Sequence, residues 1–558
     1  MSHYLLSVHE DSQANATLFK DGVPIFAVAE ERLSRVKFQG GFPERSMAAC
    51  LDFAGIGLED VALILPANRT HFLPRVVRGL LPEEEHDYFG PKHKAWLYFQ
   101  HALSRGGALS WLTESLGRAF LKRRFPRLGE FVDHHTAHAY SAYLTSGRPE
   151  AVAITADNFG DGFSSKVFDC HGGRCHFQYG SSARHSPGQF YGEIAQLLGF
   201  HNLNAGKVTG LAAHADWRDA YPIVSKMFGL DADERHFTSA AFWWRSRTRP
   251  PYSELAALTP AQVAAAAQRR FEDVMVAYVR RAVRETGRRH VVLAGGCFAN
   301  VVVNQRVLEL AEVESVFVHP AMTDQGISMG AGLAHLAERE GGATNRPLES
   351  IFLGNGYSEE AMGTALEASG LRYERPLDLA DVAARALVAR KVVARFDGRM
   401  EYGPRALGNR SVMYRSDEPD VNEWLNARLM RSEFMPFAPA TLVEHAAPRY
   451  QRLAGGELAA RYMTITFDVT DLARRESPGV VHLDGTARPQ LVAEADNPGY
   501  YAIIRRFHEL TGVPTVVNTS FNMHGEPIVC SPEDALRCFR LGKLDHLILG
   551  PFWVYPPG

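Results

Sequence analysis

Two histidines four residues apart stand in the stretch FVDHHTAHAYSAYL, residues 131 to 144. On a helix, His134 and His138 project from one face, so that two imidazole nitrogens can converge on one cation, while His135 points elsewhere. Such pairs also occur at helix caps and on surfaces, and spacing alone leaves both readings open. Two acids strengthen the first. Asp157 ends the strand-like AVAITAD and Asp324 lies in HPAMTDQGISMGAG, both at strand ends, where doubly wound sheets place ligands. Two nitrogens with two carboxylates suit a first-row divalent cation such as Fe(II), Zn(II) or Mn(II), with a position left for a substrate oxygen.

Glycines surround these residues. DNFGDG, GKVTGLAAH (with Lys207 and Gly210), LAGGCFAN (with Gly295, Gly296 and Asn300) and DQGISMGAG each let backbone approach a phosphate closely, and together they favour a nucleotide cleft. A second constellation lies further on. GRMEYGPRALGNRS sets Arg399, Arg405 and Arg410 among glycines, followed by Ser411. Guanidinium forks bind phosphate oxygens in pairs, and backbone N–H groups at Gly403 and Gly408 could add donors. A surface ion-pair network is the alternative. Arg431, Arg488 in DGTARPQ, and Asn518, Ser520 and Asn522 in VVNTSFN argue for an anion site that suits a triphosphate.

The elements that must position these groups read as mixed α/β. The 558 residues, 46% of them hydrophobic, can bury large cores, and the length suggests about two to four domains. With 60 Lys plus Arg against 63 Asp plus Glu, the formal charge of -3 gives no reason to expect nucleic acid or an acidic membrane surface. Six scattered cysteines suit a reducing compartment, and Cys170 and Cys175 flank an HGG turn that reads as an exposed hairpin rather than a zinc site. No signal peptide or membrane-spanning run is read, so a cytoplasmic protein is expected.

NATLFK and VPIFAVAE flank Asp21-Gly22, a hairpin signal, and a similar unit recurs from AVAITADNFGDG through SSKVFDCHGGRCHFQYG. Two hairpin-bearing halves with helices are what a duplicated actin-like or sugar-kinase-like (ASKHA) nucleotide-binding fold gives. Residues 261 to 340 alternate helix and strand, while 101 to 128 and 242 to 252 read as insertions. EREGGATNRPLES, 338 to 350, is the best linker, which predicts domains at 1–345 and 351–558, the second again α/β.

HHTAHA, GKVTGLAAH, LAGGCFANVVVN, GRMEYGPRALGNRS, MPFAPA, HLDGTARPQLV and NTSFNMHGEPIVCSPEDA resemble the nodulation-type and antibiotic O-carbamoyltransferase family, across essentially the whole chain. The resemblance implies an N-terminal domain like the transferase of tRNA threonylcarbamoyladenosine synthesis and a C-terminal YrdC-like α/β domain. It implies Fe(II) at His134, His138, Asp157 and Asp324. It further implies that carbamoyl phosphate and ATP, with Mg(II), yield carbamoyl-adenylate at the C-terminal arginines, Arg405 and Arg431 among them. The N-terminal site then passes the carbamoyl group to the hydroxyl of a small metabolite. A homodimer is one expectation for the assembly.

The chain departs from that pattern in two places. Family members open with an HDSSAAL-like histidine, a candidate base for the acceptor hydroxyl; an ungapped reading puts Ser12 there, with His9 three residues earlier. In LMRSEFMPFAP the family's lysine and second arginine positions hold Leu429 and Met435, two anion contacts fewer, for which Arg428 or His524 are candidate replacements. Two other readings therefore stand beside the first: an adenylate-forming transferase with a different carboxylate or carbamate donor, and a catalytically weak nucleotide-binding scaffold. RNA modification is disfavoured by the charge balance.

Overall fold

Asp21 and Gly22 both take left-handed backbone angles, φ 50° and 80°, and turn β2 (Asn15–Lys20) into β3 (Val23–Ala29) as the Asp-Gly signal predicts. The computed structural model describes residues 3–68, 115, 118–119, 121–201, 205–239, 251–339, 345, 347–430 and 436–557. They fall into two units, Met1–Ala27 with Gly40–Pro347 and Val28–Gln39 with Leu348–Gly558.

In the first unit, β1 (Tyr4–His9) pairs antiparallel with β2 and parallel with β4 (Val61–Ala67), giving the order β3-β2-β1-β4. The second sheet repeats that plan. β5 (Glu150–Gly160), β6 (Phe163–His171) and β7 (Arg174–Ser182) form an antiparallel meander. A short hairpin, β8 (Phe228–Leu230) and β9 (Phe237–Ser239), stands apart, and β10 (His290–Ala294) and β11 (Ser315–Val318) join β5 in parallel. The order β7-β6-β5-β10 matches β3-β2-β1-β4, with β11 as an extra edge strand, so the duplication read from the hairpins is a duplicated α/β architecture of the actin-like, sugar-kinase-like kind.

One glycine loop differs from expectation. DNFGDG is not an open loop: Asp157 to Gly160 continue β5, and Asp161-Gly162 (φ 47° and 87°) form its hairpin turn, because Asp-Gly between two apolar strands favours the tight turn. Cys170 and Cys175 are cross-strand partners on the β6–β7 hairpin, as the HGG turn implies, with Cys170 buried and their sulfurs 2.9 Å apart.

The helices His134–Thr145 and Ile327–Arg339 pack closely, since a Cβ at Gly330 would fall 1.8 Å from the Ala137 carbonyl oxygen. This contact brings the end bearing His134 beside the 3-10 turn Asp324–Gly326 that leads the second helix. The long Pro260–Thr286 helix has a Thr259/Gln262 capping box, Pro260 in its first turn and Gly287 beyond its end. Its apolar face closes the core with Phe190, Phe228, Phe237, Phe271 and Tyr278.

The second unit is built on β12 (Tyr373–Glu374), β13 (Val393–Phe396), β14 (Arg410–Arg415) and β15 (Ala438–Leu442), with β18 (Gln490–Val492), β19 (Thr515–Ser520), β20 (His546–Leu549) and β21 (Phe552–Val554). The sheet order is β12-β21-β20-β13-β14-β19-β15-β18; β16 (Phe467–Asp468) and β17 (Thr486–Ala487) form a separate ribbon. Separate apolar clusters cover the sheet, one with Leu387, Tyr500 and Ile504, the other with Leu366, Leu536 and Phe539. Residues 28–39, which the domain reading 1–345 assigns to the first unit, belong to the second. Arg35 donates to the Ile528 and Pro527 carbonyls at 2.7 and 2.9 Å and pairs with Asp534 at 3.2 Å, while Arg32 donates to the Gly403 carbonyl at 3.0 Å.

Two wholly buried histidines make the first unit acid-sensitive. Burial, and then the charges of Lys166 and His138, pull His135 down to about 4 and His319 to about 3. A ring whose folded pKa lies below its unfolded value loses stability as pH falls, because the unfolded chain takes the proton first. Each ring is expected to remove on the order of 3 kcal/mol of unfolding free energy, read from urea titrations, between pH about 6.5 and about 4, offset in part by Asp324, whose carboxyl is raised to about 7 and stabilises the fold as pH falls through the same window. An unchanged midpoint across that window would refute the assignment of both rings as neutral. No helix among the described residues is long and apolar enough to cross a membrane.

Candidate functional site

The helix that carries both histidines begins at His134 because Asp133 caps it: the Asp133 carboxylate accepts from the Thr136 N–H at 2.9 Å and is held by Lys166 Nζ at 2.8 Å. The His134 N–H donates to Asp161 Oδ2 at 2.8 Å. His135 turns away, toward Thr155 Oγ1 and the Phe163 carbonyl at 2.8 and 3.1 Å. His134 and His138 lie one turn apart with ring centroids 4.8 Å from each other. Gly160 is required beside them, since a Cβ there would come within 2.2 Å of the His134 ring.

Asp157, on β5, and Asp324 complete the group. One ligand atom from each of His134, His138, Asp157 and Asp324 lies within 4.8 Å of the others, the sole such group of its size among the described residues. His138 Nε2 is 3.4 Å from Asp157 Oδ2 and 3.6 Å from Asp324 Oδ1, and His134 Nε2 is 3.7 Å from Asp324 Oδ1. These spacings exceed hydrogen-bond length and approach the ~3.4 Å edge of a tetrahedron with ~2.1 Å metal–ligand bonds. His138 Nε2 and Asp324 Oδ1 are buried without a hydrogen-bond partner, so the donor set fits a divalent cation.

The electrostatics agree. Burial disfavours the charged His138 ring, but the Asp157 and Asp324 carboxylates override it and push its pKa to about 9. Burial and the neighbouring Asp157 charge raise Asp324 to about 7. Asp157 is also opposed by burial, yet His138 and the N–H groups of Gly296 and Asn158, at 2.9 and 2.7 Å, hold it below the usual carboxylate range. Paired acids concentrating negative charge around two imidazoles are a cation's environment.

The nearby predicted residues divide. Gly295 (φ 103°) and Gly296 bring backbone against β5 and Asp157. Asn300 caps the Val301–Leu308 helix and pairs with Gln268 at 2.9 Å, so its amide supports structure. Lys207 and Gly210 sit half-buried on the Gly206–Ala212 helix. His9 ends β1, wholly buried; its Nε2 lies 3.2 Å from the Ser12 carbonyl and its Nδ1 3.2 Å from Asn68 Nδ2. Both nitrogens thus face chain groups, an arrangement that supports neighbouring residues rather than one that offers an open base; Ser12 contributes its carbonyl.

In the second unit, a buried carboxylate shapes the arginine loop. Glu401 Oε1 accepts from the N–H groups of Leu407, Asn409 and Arg410 at 2.8, 2.8 and 3.0 Å, and Gly403 and Gly408 take φ 111° and 118°. Ser411 Oγ accepts from the Gly408 N–H at 2.9 Å. The expectation that Arg410 binds phosphate is corrected here. Its Nη1 donates to the Asp397 and Asn409 carbonyls and its Nη2 to those of Asn355 and Gly398, while its guanidinium lies 3.7 Å over the Phe396 ring. Arg399 likewise donates to the Leu353 and Gly354 carbonyls. A guanidinium fork fits paired carbonyls as well as phosphate.

Arg405 and Arg488 differ. Among the described residues neither has a hydrogen-bond or ion-pair partner. Burial lowers Arg405 to about 10, and burial with the Arg405 charge pushes Arg488 down strongly. Two desolvated cations that repel each other are what a bound anion would relieve. Asn518 donates to the Ala406 carbonyl and Gln490 Oε1, bracing the same loop; Ser520 donates to Asn522, whose amide donates to the Met523 and Glu526 carbonyls. Leu429 is wholly buried in the core and Arg428 is engaged by Asp545 at 3.1 Å, so neither supplies the absent anion contact; His524 is exposed. Arg431 and Met435 lie outside the described residues, as do 242–250 of the aromatic insertion. Sequence reasoning missed Asn68, Glu401 and Lys166; the first two had only their places at the end of a strand and within a glycine loop as signals.

Residues 6–333 match the carbamoyltransferase N-terminus family and residues 384–555 the carbamoyltransferase C-terminus family. The uncharacterized protein sll1178 of Synechocystis sp. is 30% identical over 99% of this chain and 96% of its own length. The nodulation protein NolNO of Sinorhizobium fredii is 30% identical over 99% of this chain and 82% of its own. Among solved structures, component A of the (R)-2-hydroxyglutaryl-CoA dehydratase of Acidaminococcus fermentans aligns with a TM-score of 0.35 and 16% identity, over 59% of this chain and 96% of that one. With both halves matched in their family order and full-length relatives at this identity, the chain belongs to the carbamoyltransferase family, and is a transferase.

Proposed function

We propose that this chain is an ATP-dependent O-carbamoyltransferase that forms carbamoyl-adenylate from carbamoyl phosphate, water and ATP in its second unit, where water cleaves the donor to carbamate and phosphate and the carbamate displaces pyrophosphate from ATP, and that transfers the carbamoyl group to a hydroxyl of a small metabolite in its first, with AMP as the leaving group. The observation that carries the reading is the convergence of His134, His138, Asp157 and Asp324 within 4.8 Å, in a chain of this family.

Arg405 and Arg488 receive the anionic donor and the ATP phosphates, where their unpartnered charges offset the charge that builds as pyrophosphate departs. Arg431 is assigned to the same step by its sequence motif, and Mg(II) accompanies the ATP. Glu401 keeps the loop bearing Arg405 in one shape, so the guanidinium needs no reorganisation when ligand arrives. In the first unit, Gly295 and Gly296 let the end of β10 pack against Ala156 and Asp157, which fixes the Asp157 carboxylate in the group of four. A divalent first-row cation, Fe(II) by family resemblance, would be held by the two imidazoles and two carboxylates and would supply Lewis acidity toward the carbamoyl oxygen. Free cysteines and a near-neutral charge are in keeping with a cytoplasmic setting and a small-molecule acceptor.

Leu429, buried where the family resemblance implies a lysine, favours one second reading, an adenylation step with another carboxylate or carbamate donor. The test is incubation of the full chain with ATP, Mg(II), Fe(II) and carbamoyl phosphate, followed by mass detection of carbamoyl-adenylate and assay of pyrophosphate. Donor-dependent pyrophosphate with the adenylate is expected. Pyrophosphate with another donor alone would move the conclusion to the second reading, and none with any donor would overturn both.

A further inference from the structure

Asn68 follows the last residue of β4, and the structure ties it down three times. Its N–H donates to the Val132 carbonyl at 2.9 Å, its residue is 3% exposed, and it takes φ 76°, a left-handed conformation that asparagine tolerates better than most residues. Its side chain stands between two imidazoles. Oδ1 lies 2.9 Å from His134 Nδ1 and Nδ2 lies 3.2 Å from His9 Nδ1.

The amide is chemically asymmetric: Oδ1 only accepts and Nδ2 only donates. The His134 Nδ1 must therefore carry the proton, which turns the lone pair of its Nε2 toward Asp324 and the group of four. His9 Nδ1 must accept, and its Nε2 then donates to the Ser12 carbonyl at 3.2 Å. The opposite amide orientation fails on both sides. It would require His9 to donate from both nitrogens, a charged ring at a wholly buried position, and would protonate His134 at the nitrogen that faces the carboxylates.

We propose that Asn68 is a positioning residue that sets the tautomers of His134 and His9, so that His134 presents an unprotonated Nε2 to a cation. The proposal rests on the reading of His134, His138, Asp157 and Asp324 as a cation site, and adds what makes one of those ligands competent before the cation arrives. A neutral amide does here what a carboxylate or a carbonyl does behind other metal-binding imidazoles. It serves two rings at once because β1 and β4 are parallel neighbours that set His9 in register with Ala67, one residue before Asn68.

The test uses the full chain with nitrogen-15 histidine, stripped of metal by chelator, at neutral pH. Ring-nitrogen spectra of the wild type are expected to assign His134 and His9 to opposite tautomers, the proton on Nδ1 in the first and on Nε2 in the second. In Asn68→Ala the His134 preference is expected to disappear. Asn68→Asp keeps the acceptor for His134 and replaces the donor to His9 with a second acceptor, so it should retain the His134 tautomer and leave His9 protonated on both nitrogens, its charge balanced by the new carboxylate. Titration with Co(II), followed by its visible absorption, should show affinity about ten- to a hundred-fold weaker in Asn68→Ala and within a few-fold of wild type in Asn68→Asp. A wild-type His134 protonated on Nε2, or an Asn68→Ala variant with wild-type spectra, would overturn the proposal. Failure of the wild type to bind Co(II) would instead overturn the cation-site reading, and the metal-free spectra would still decide the role of Asn68.

Discussion

Asp157→Asn is expected to abolish carbamoyl transfer and weaken divalent-cation binding by at least about a hundred-fold, while donor-dependent pyrophosphate release stays within about two-fold of wild type. The variant is nearly isosteric and removes one unit of negative charge at the point where β5 passes His138 at 3.4 Å. Asp157 is the acid of the pair held ionised below the usual carboxylate range, whereas burial and the Asp157 charge itself raise Asp324 to about 7. Asparagine at position 157 therefore takes away the carboxylate most ready to meet a cation, and its amide is a far weaker ligand for a first-row metal. The N–H groups of Gly296 and Asn158 that now face the carboxylate would meet a neutral group, a change felt locally. Three measurements separate the effects: bound metal by elemental analysis, pyrophosphate release, and formation of carbamoylated acceptor. Wild-type transfer by Asp157→Asn would remove the first unit's chemistry from the proposal. Loss of pyrophosphate release alongside transfer would mean that the two units do not divide the reaction as proposed.

The residues that this prediction touches were readable before any coordinates, and the reason is periodicity. A four-residue spacing on a helix puts two side chains on one face whatever the surroundings, so His134 and His138 declared themselves in HHTAHA. Asp-Gly pairs declared the hairpins because few dipeptides accept two left-handed residues in succession. Asp157 and Asp324 were singled out as strand-end acids, although β5 runs on past Asp157 to Gly160 and Asp324 lies on the turn Asp324–Gly326. What escaped has no period. Asn68 is one asparagine after an apolar strand, and nothing in its neighbours signals that Val132 and two imidazoles surround it. Arg410 and Arg399 were read as phosphate contacts because a guanidinium has the same donors for a carbonyl as for a phosphate; only the fold reveals that the carbonyls of Asp397, Asn409, Asn355 and Gly398 are already there. Segment 28–39 was assigned by chain order, and ion pairing by Arg35 with Asp534, nearly 500 residues away, follows no local rule.

With Arg399 and Arg410 engaged by carbonyls, the proposed anion site of the second unit rests on Arg405 and Arg488, which sets up an effect of opposite sign on activity and stability. Arg488→Met is expected to reduce donor-dependent pyrophosphate release by about a hundred- to a thousand-fold, the loss seen when one positioned donor to a developing charge is removed. The same change should raise the melting temperature of the ligand-free protein. Arg488 has its folded pKa pushed strongly down by burial and by the Arg405 charge, so its charged form is less favourable in the fold than in the unfolded chain. Below its ordinary pKa the guanidinium stays protonated in the unfolded state, and holding it in the fold at neutral pH works against folding. Methionine fills similar space without the charge, while Arg405 stays lowered to about 10 by its own burial. An anion at this site stabilises the wild type by neutralising the pair, so pyrophosphate added at saturating concentration should raise the wild-type melting temperature and leave Arg488→Met unmoved. An active Arg488→Met would take the anion site elsewhere in the unit. A variant that is inactive and also much less stable would show that Arg488 supports the fold, and the strain read from its charge would be wrong.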